Sequence, residues 1–198
     1  MVSESDVEDY LLGLMNNERT NNGLPAYARN AGLDVGARAH TALVMARAML
    51  APDPSAPVCP PQINVIVRVD DHTWTESWDA DHWCPADELS PIQRIQPDWQ
   101  TLYGVPPTEN VGQGKATWNR PTGAPPDPTW EPYEDIVLRI HQHFMAEVPP
   151  NDGHRSAILN PDFNSVGVGV RFFSRTVFVG GDVQQQAYVR FTVDFAKI

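Results

Sequence analysis

"NDGHRSAILNPDFNSVGVGV", residues 151–170, joins a helical pattern to a strand pattern and so decides how the chain is layered. It opens as a polar turn and sets His154 between Gly153 and Arg155. A short apolar run follows and breaks at Asn160-Pro161. Val166, Val168 and Val170 then alternate with Gly167 and Gly169, the period of two that marks a strand.

Upstream, Tyr133, Val137, Ile140 and Phe144 form one helical stripe, which predicts a helix over 133–148 ended by Pro149-Pro150. Downstream, three runs keep the period of two: "SVGVGVRFF" (165–173), "TVFVGG" (176–181) and "AYVRFTVDFA" (187–196). Their short links predict an antiparallel meander. At the N-terminus, Ser5 and Glu8 read as a capping box, and Val7, Leu11, Leu14 and Met15 recur at helical spacing. This predicts a helix over 5–22, stopped by Gly23 and Pro25. A second helix is expected over 30–50, with Leu33, Ala37, His40 and Val44 on its inner stripe and His40 a structural histidine. The order helix, helix, irregular segment, helix, strands gives an α+β fold, a sheet covered by helices on both faces. The helices at 5–22 and 133–148 are expected on opposite faces.

Residues 51–132 hold most of the 19 prolines, together with the tryptophans. Only "INVIVRV" (63–69) alternates like a strand, and the rest reads as ordered coil or short helical turns. The chain is therefore a single domain over 1–198 with a Pro/Trp-rich irregular insertion at about 51–107. At 198 residues it can bury a core without staples. A net charge of −11 opposes a phosphate-backbone partner, so no nucleic acid is expected. No apolar run reaches the roughly 20 residues of a membrane span, and "MVSESDVEDY" lacks the pattern of a signal peptide.

Three passages stand in one order: "LLGLMNNERTNNGLPAYARNAGLDVGARAHTALVMA" (11–46), "TENVGQG" (108–114) and "HFMAEVPPNDGHRSAILNPDFNSVGVGV" (143–170), closed by "AYVRFTVDFA". Together they resemble the CAP superfamily, which includes the cysteine-rich secretory, venom-allergen and pathogenesis-related proteins. The likeness is strongest to its bacterial SCP-like extracellular branch and covers roughly residues 5–50 and 80–198. The resemblance implies an α–β–α sandwich with a central antiparallel sheet, and a cleft carrying two histidines and two acidic residues. Glu109 takes the place of the glutamate in the family's G-E-N motif, with Thr108 for its glycine. His154 is the histidine of G-H-R. The partner histidine should lie some 25 residues before the glutamate, which points to His82, with Arg94 after it, and leaves His72 too far away. The second acidic group matches Glu147, three residues after an aromatic, with Phe144 in place of the family's tryptophan.

Two imidazoles and two carboxylates suit Zn²⁺ or another divalent cation with water completing the shell. The metal ligands would be His82 and His154, with Glu109 and Glu147 binding ligand. The same set suits proton transfer, because neighbouring carboxylates raise a histidine's pKa. A buried polar network that only orders the cleft is the third reading. Other motifs carry less. "HQH" (141–143) places its histidines at i and i+2, which do not face each other on a helix, and His143 is expected to pack with Ile136 and Ile140. "DDH" (70–72) and "DADH" (79–82) lack calcium-loop spacing, "GQG" (112–114) precedes no phosphate loop, and Ser156 and Ser165 have no triad context.

The reading taken forward is a secreted, non-enzymatic module that binds a divalent metal and a small lipid or glycan-like ligand. A hydrolase is the alternative, with His82, Glu109 and His154 as catalytic residues and water as the nucleophile. A structural or adhesion module, with a protein partner in a virion or surface assembly, is the third. Cys59 and Cys84 lie in the irregular segment and are either bridged or two unrelated thiols. A bridge requires Cα atoms roughly 4.4–6.8 Å apart. Titration of the unfolded, unreduced chain is expected to find no reactive thiol, and two reactive groups would exclude the bridge.

Overall fold

The computed structural model describes residues 1–49, 63–69, 72–78, 105–121 and 123–198. Cys59, Cys84, His82 and Arg94 lie outside the described residues, so the bridge and the histidine partner expected above do too. In chain order the elements are α1 (Glu4–Asn21), β1 (Ala28–Arg29), α2 (Ala31–Met49), β2 (Ile63–Val69), β3 (His72–Trp78), β4 (Thr108–Arg120), α3 (Tyr133–Ala146), α4 (Gly153–Ile158), β5 (Ser165–Val179) and β6 (Asp182–Ala196). The strands form one sheet in the order β1-β5-β6-β4-β3-β2, antiparallel except for the short β1–β5 pair. The fold is α+β, a sheet flanked by helices.

Three local expectations change. The meander is one long hairpin of two 15-residue strands, not three short strands. Its turn is Gly180-Gly181, whose φ angles of 62° and 94° only glycine adopts freely. Ser174-Arg175, which looked like a break, stays in the strand because each neighbour has a cross-strand partner. Phe173 stacks on Tyr188 at 4.7 Å, and Arg175 bonds Gln186. Within the segment expected to be irregular, His72–Trp78 and Thr108–Arg120 are also strands. The cap of α1 is Ser3 with Asp6, two residues earlier than expected. Glu8 is instead turned inward and 1% exposed.

The layering also differs from expectation. α1 and α3 pack against each other on the same face, with α4 beside them. Val7, Leu11 and Met15 of α1 share a core with Ile136, Val137, Ile140 and Phe144 of α3, and with Val166, Val168, Val170, Phe191, Val193 and Phe195 of the sheet. α2 alone covers the other face among the described residues. Periodicity shows that a helix buries a stripe, but not on which side of a sheet it lands.

The glycines of "VGVGV" seat α2. A methyl at Gly167 would overlap the backbone of Leu33, and one at Gly169 the backbone of Ala37 and Arg38. The open edge of β5 is closed by side chains. Asp34 accepts from the Val168 amide at 2.9 Å, and Glu8 accepts from the Val170 amide at 3.3 Å. Arg29 and Arg38 clamp Glu8 at 2.5 Å each, and Arg29 holds Asp34 at 2.8 Å. Burial pushes the Glu8 carboxyl up, but hydrogen bonds from Arg38 and Arg29 outweigh it and hold its pKa below the usual range. Capping strand amides with carboxylates is one way to close a sheet edge against further pairing.

Gly169→Ala should lower stability by about 1–3 kcal/mol, since helix and strand backbones must separate. Gly13→Ala, on the exposed side of α1 with nothing within 4 Å, should raise it by roughly 0.5–1 kcal/mol. Urea denaturation of the two variants checks both signs.

Candidate functional site

α3 ends one residue before Glu147, and the chain returns after a seven-residue step to His154 at the start of α4. Phe144 and Glu147 are three apart, so they lie on one side of the helix end. Both engage His154. Its Nδ1 meets Glu147 Oε1 at 2.5 Å. The Phe144 ring stacks on the imidazole at 4.0 Å with the planes 1° apart. The other carboxylate oxygen, Oε2, accepts from the backbone amides of His154 at 3.0 Å and Arg155 at 3.3 Å. From the sheet, Asn110 Nδ2 donates to the His154 carbonyl at 3.0 Å. Three residues, from the end of α3 and from β4, thus hold one histidine, and His154 is 7% exposed.

A carboxylate on Nδ1 selects the tautomer. With Nδ1–H donating to Glu147, the neutral ring carries its lone pair on Nε2, the state needed in a metal ligand or a general base. The family resemblance implied His154 beside Glu109 with Glu147 as the second acidic group; the structure sets Glu147 directly on His154 and turns Glu109 to the other face of the sheet.

Glu109 lies next to Asn110 in β4, so their side chains point to opposite faces of the sheet. Glu109 faces α2. Its Oε2 is 3.4 Å from His40 Nδ1, and that nitrogen is also 3.2 Å from Thr192 Oγ1. Both side chains are about 1% exposed. Across the ladder, Glu109 is paired with Asp194, itself 2% exposed. The described residues therefore carry two imidazole–carboxylate pairs, His154–Glu147 and His40–Glu109, on the two faces of the sheet. Residues 109 and 110 of β4 are the link between them. Among the described residues no group of three or more His, Cys, Asp or Glu could hold a metal, so His154 fits as one donor of a metal shell and not as a complete site.

His40 is buried as expected, but its partner Glu109 was not foreseen. The only local signal was its place on the inner stripe of a helix; the carboxylate it meets is 69 residues on. On α3, His141 and not His143 joins the packing face. The buried stripe is wide, Tyr133, Ile136, Val137, Ile140, His141 and Phe144, and His143 is half-buried. Neither ring nitrogen of His141 has a hydrogen-bond partner, and Glu18 Oε1 is 3.9 Å from its Nε2. Burial alone pulls the His141 pKa down to about 4.

No family profile matches the chain, and no curated protein is similar to it in sequence. Among solved structures, an outer surface protein from Borrelia burgdorferi is similar in fold at a TM-score of 0.49 and 10% identity, covering 100% of this chain and 97% of that one.

The depressed His141 pKa sets a pH dependence. The unfolded chain protonates this histidine below its ordinary value of 6.5, whereas the folded chain resists until about 4. Stability is full above 6.5, falls as pH drops through that window, and levels off below 4. The loss is on the order of 3 kcal/mol, from about 1.36 kcal/mol per pH unit. Urea midpoints between about pH 7 and pH 4 should show this slope in the parent and less of it in His141→Phe.

Proposed function

We propose that the chain is an extracellular CAP-like module that binds rather than turns over, and whose cleft holds a divalent cation and a small lipid or glycan-like ligand. The observation that carries this reading is the Glu147–His154 contact at 2.5 Å, which orients the imidazole with Nε2 as its electron-pair donor. His154 and His82 would supply the nitrogens of a zinc-like ion, with water in the remaining positions and Glu147 adding charge beside them, while Glu109 lies on the other face of the sheet against His40 and stands outside this shell. Two further features support the reading. The likeness of "TENVGQG" and "GHRSAILNP" to the family motifs falls on β4 and α4, the elements that carry Glu109 and His154. No helix among the described residues is long and apolar enough to cross a membrane.

Zinc titration followed by melting temperature tests the reading. Zinc should stabilise the protein by about 2.7 kcal/mol at a free concentration one hundred times Kd. Affinity should fall below about pH 6, because imidazole ligands must be neutral and the unperturbed pKa is about 6.5. His154→Ala should abolish the gain, and Glu147→Gln should weaken binding roughly 10–100-fold by releasing the ring. His72→Ala and His141→Ala should keep it. Zinc melting curves unchanged by His154→Ala would remove the metal. Cleavage of a peptide library that is lost in His154→Ala would replace binding with hydrolysis.

A further inference from the structure

Nearer the β5–β6 turn, the sheet carries a second constellation. It is centred on Tyr188, six residues along β6 from Asp194, or about 20 Å at roughly 3.4 Å per residue. In register, Tyr188 stands between Lys115 of β4 and Phe173 of β5, and Arg175 of β5 stands opposite Gln186. Phe173 stacks on the tyrosine ring with the planes 10° apart. Lys115 Nζ is 5.6 Å and Arg175 Cζ 5.1 Å from the ring centroid. Two cations thus converge on one aromatic ring in a chain of net charge −11.

Neither cation has a carboxylate partner among the described residues. By contrast, Arg29, Arg38, Arg120 and Arg171 each pair with one. Arg175 is held by neutral groups. Its Nε donates to Gln186 Oε1 at 2.9 Å, and one terminal nitrogen donates to the Tyr188 hydroxyl at 2.8 Å. That hydroxyl donates on to Gln186 Oε1 at 2.8 Å.

The direction of the whole network follows from the guanidinium, which can only donate. Gln186 must present its oxygen to Arg175, so its amide nitrogen donates to Gln184 Oε1. Gln184 in turn donates to Asn119 Oδ1 at 2.8 Å. Each side-chain carbonyl oxygen in this chain of bonds therefore already accepts from a donor. The donors left to face solvent are the unused protons of Arg175, the Lys115 ammonium and the Asn119 amide. Arg175 and Asn119 are exposed, and Lys115 and Tyr188 half-buried, so the groups can be reached.

We infer that Lys115, Arg175, Tyr188 and Asn119 form a binding site for an oxyanion carried on a sugar, a sulfated or phosphorylated glycan. A pre-oriented guanidinium loses little freedom on meeting an oxyanion and can bind it in bidentate fashion. The surrounding amides and hydroxyl match sugar hydroxyls, and because Phe178 and Val179 are exposed at the nearby hairpin tip, a bilayer contact is the outcome that the test must separate. At physiological salt the charges elsewhere on the chain are screened beyond about 8 Å, so the local cations decide binding. The inference does not depend on the metal reading, because the two sites lie on different stretches of the sheet.

The test uses the full chain and a heparin-derived tetrasaccharide, with its desulfated form as control, followed by amide chemical shifts at fixed ionic strength. Saturable shifts centred on residues 115, 119, 175, 186 and 188 are expected with the sulfated probe only. Arg175→Gln should weaken binding roughly 10–100-fold, the loss of charged hydrogen bonds worth about 1.5–3 kcal/mol, and adding Lys115→Gln should weaken it further. Both replace surface side chains, and an unchanged melting temperature confirms the fold. Equal binding of the desulfated probe, affinity within about twofold of the parent in the double variant, or shifts centred elsewhere would each overturn the site. Capture by phosphatidylglycerol vesicles without tetrasaccharide binding would overturn it as well, in favour of a membrane.

Discussion

Arg19 is the residue on which the geometry of the chain depends. It is 0% exposed, at the end of α1, and its guanidinium donates to four backbone carbonyls: Pro25, Ile158, Asn160 and Phe163. Its charge lies 3.8 Å from the Tyr27 ring centroid, and the Tyr27 hydroxyl reaches the carbonyls of Ala157 and Ile158. Burial pushes the Tyr27 phenol far above its usual range, so it remains a donor. No carboxylate is needed, because the planar fork matches a cluster of carbonyls left open where α4 ends. This contact ties the first helix to the turn between α4 and β5. It thereby fixes where α4 ends, about one helical turn from His154.

The two faces of the sheet are built on different physics. The α1/α3/α4 face is an apolar core, with Phe144 T-stacked on Phe191 beneath the His154 ring. The α2 face is polar and close-packed. Glycines let the helix approach the strand, and Glu8, Arg29, Asp34 and Arg38 close the sheet edge beside it. That close approach is what brings His40 onto Glu109. The buried carboxylates at this edge are tolerated because each is matched by an arginine and by a backbone amide.

The histidines illustrate how environment assigns role. His154 and His40 each sit against a carboxylate, and both are held by a second group, Phe144 in one case and Thr192 in the other. His141 has no hydrogen-bonded partner and lies in an apolar helix interface. All three are buried, and only their neighbours distinguish a residue suited to binding or proton transfer from one that packs as a neutral ring.

Local spacing was enough to place α1, α2 and α3, the strand character of "VGVGV" and "AYVRFTVDFA", and the α+β class, whereas the grouping of Glu147 with His154 was implied only by the family resemblance. The rules involved are short-range: about 3.6 residues per helical turn and two per strand. Long-range packing settled the rest. It put α1 and α3 on one face, carried a strand through Ser174-Arg175, drew Glu8 from the helix cap to a sheet edge, and set His40 against Glu109. Each of these is a choice between partners distant in the chain. Hydrophobic periodicity is blind to such choices, because burying a stripe lowers the free energy on either side of a sheet. The choice is made by which carbonyls Arg19 can satisfy and by which strand presents glycine to a helix.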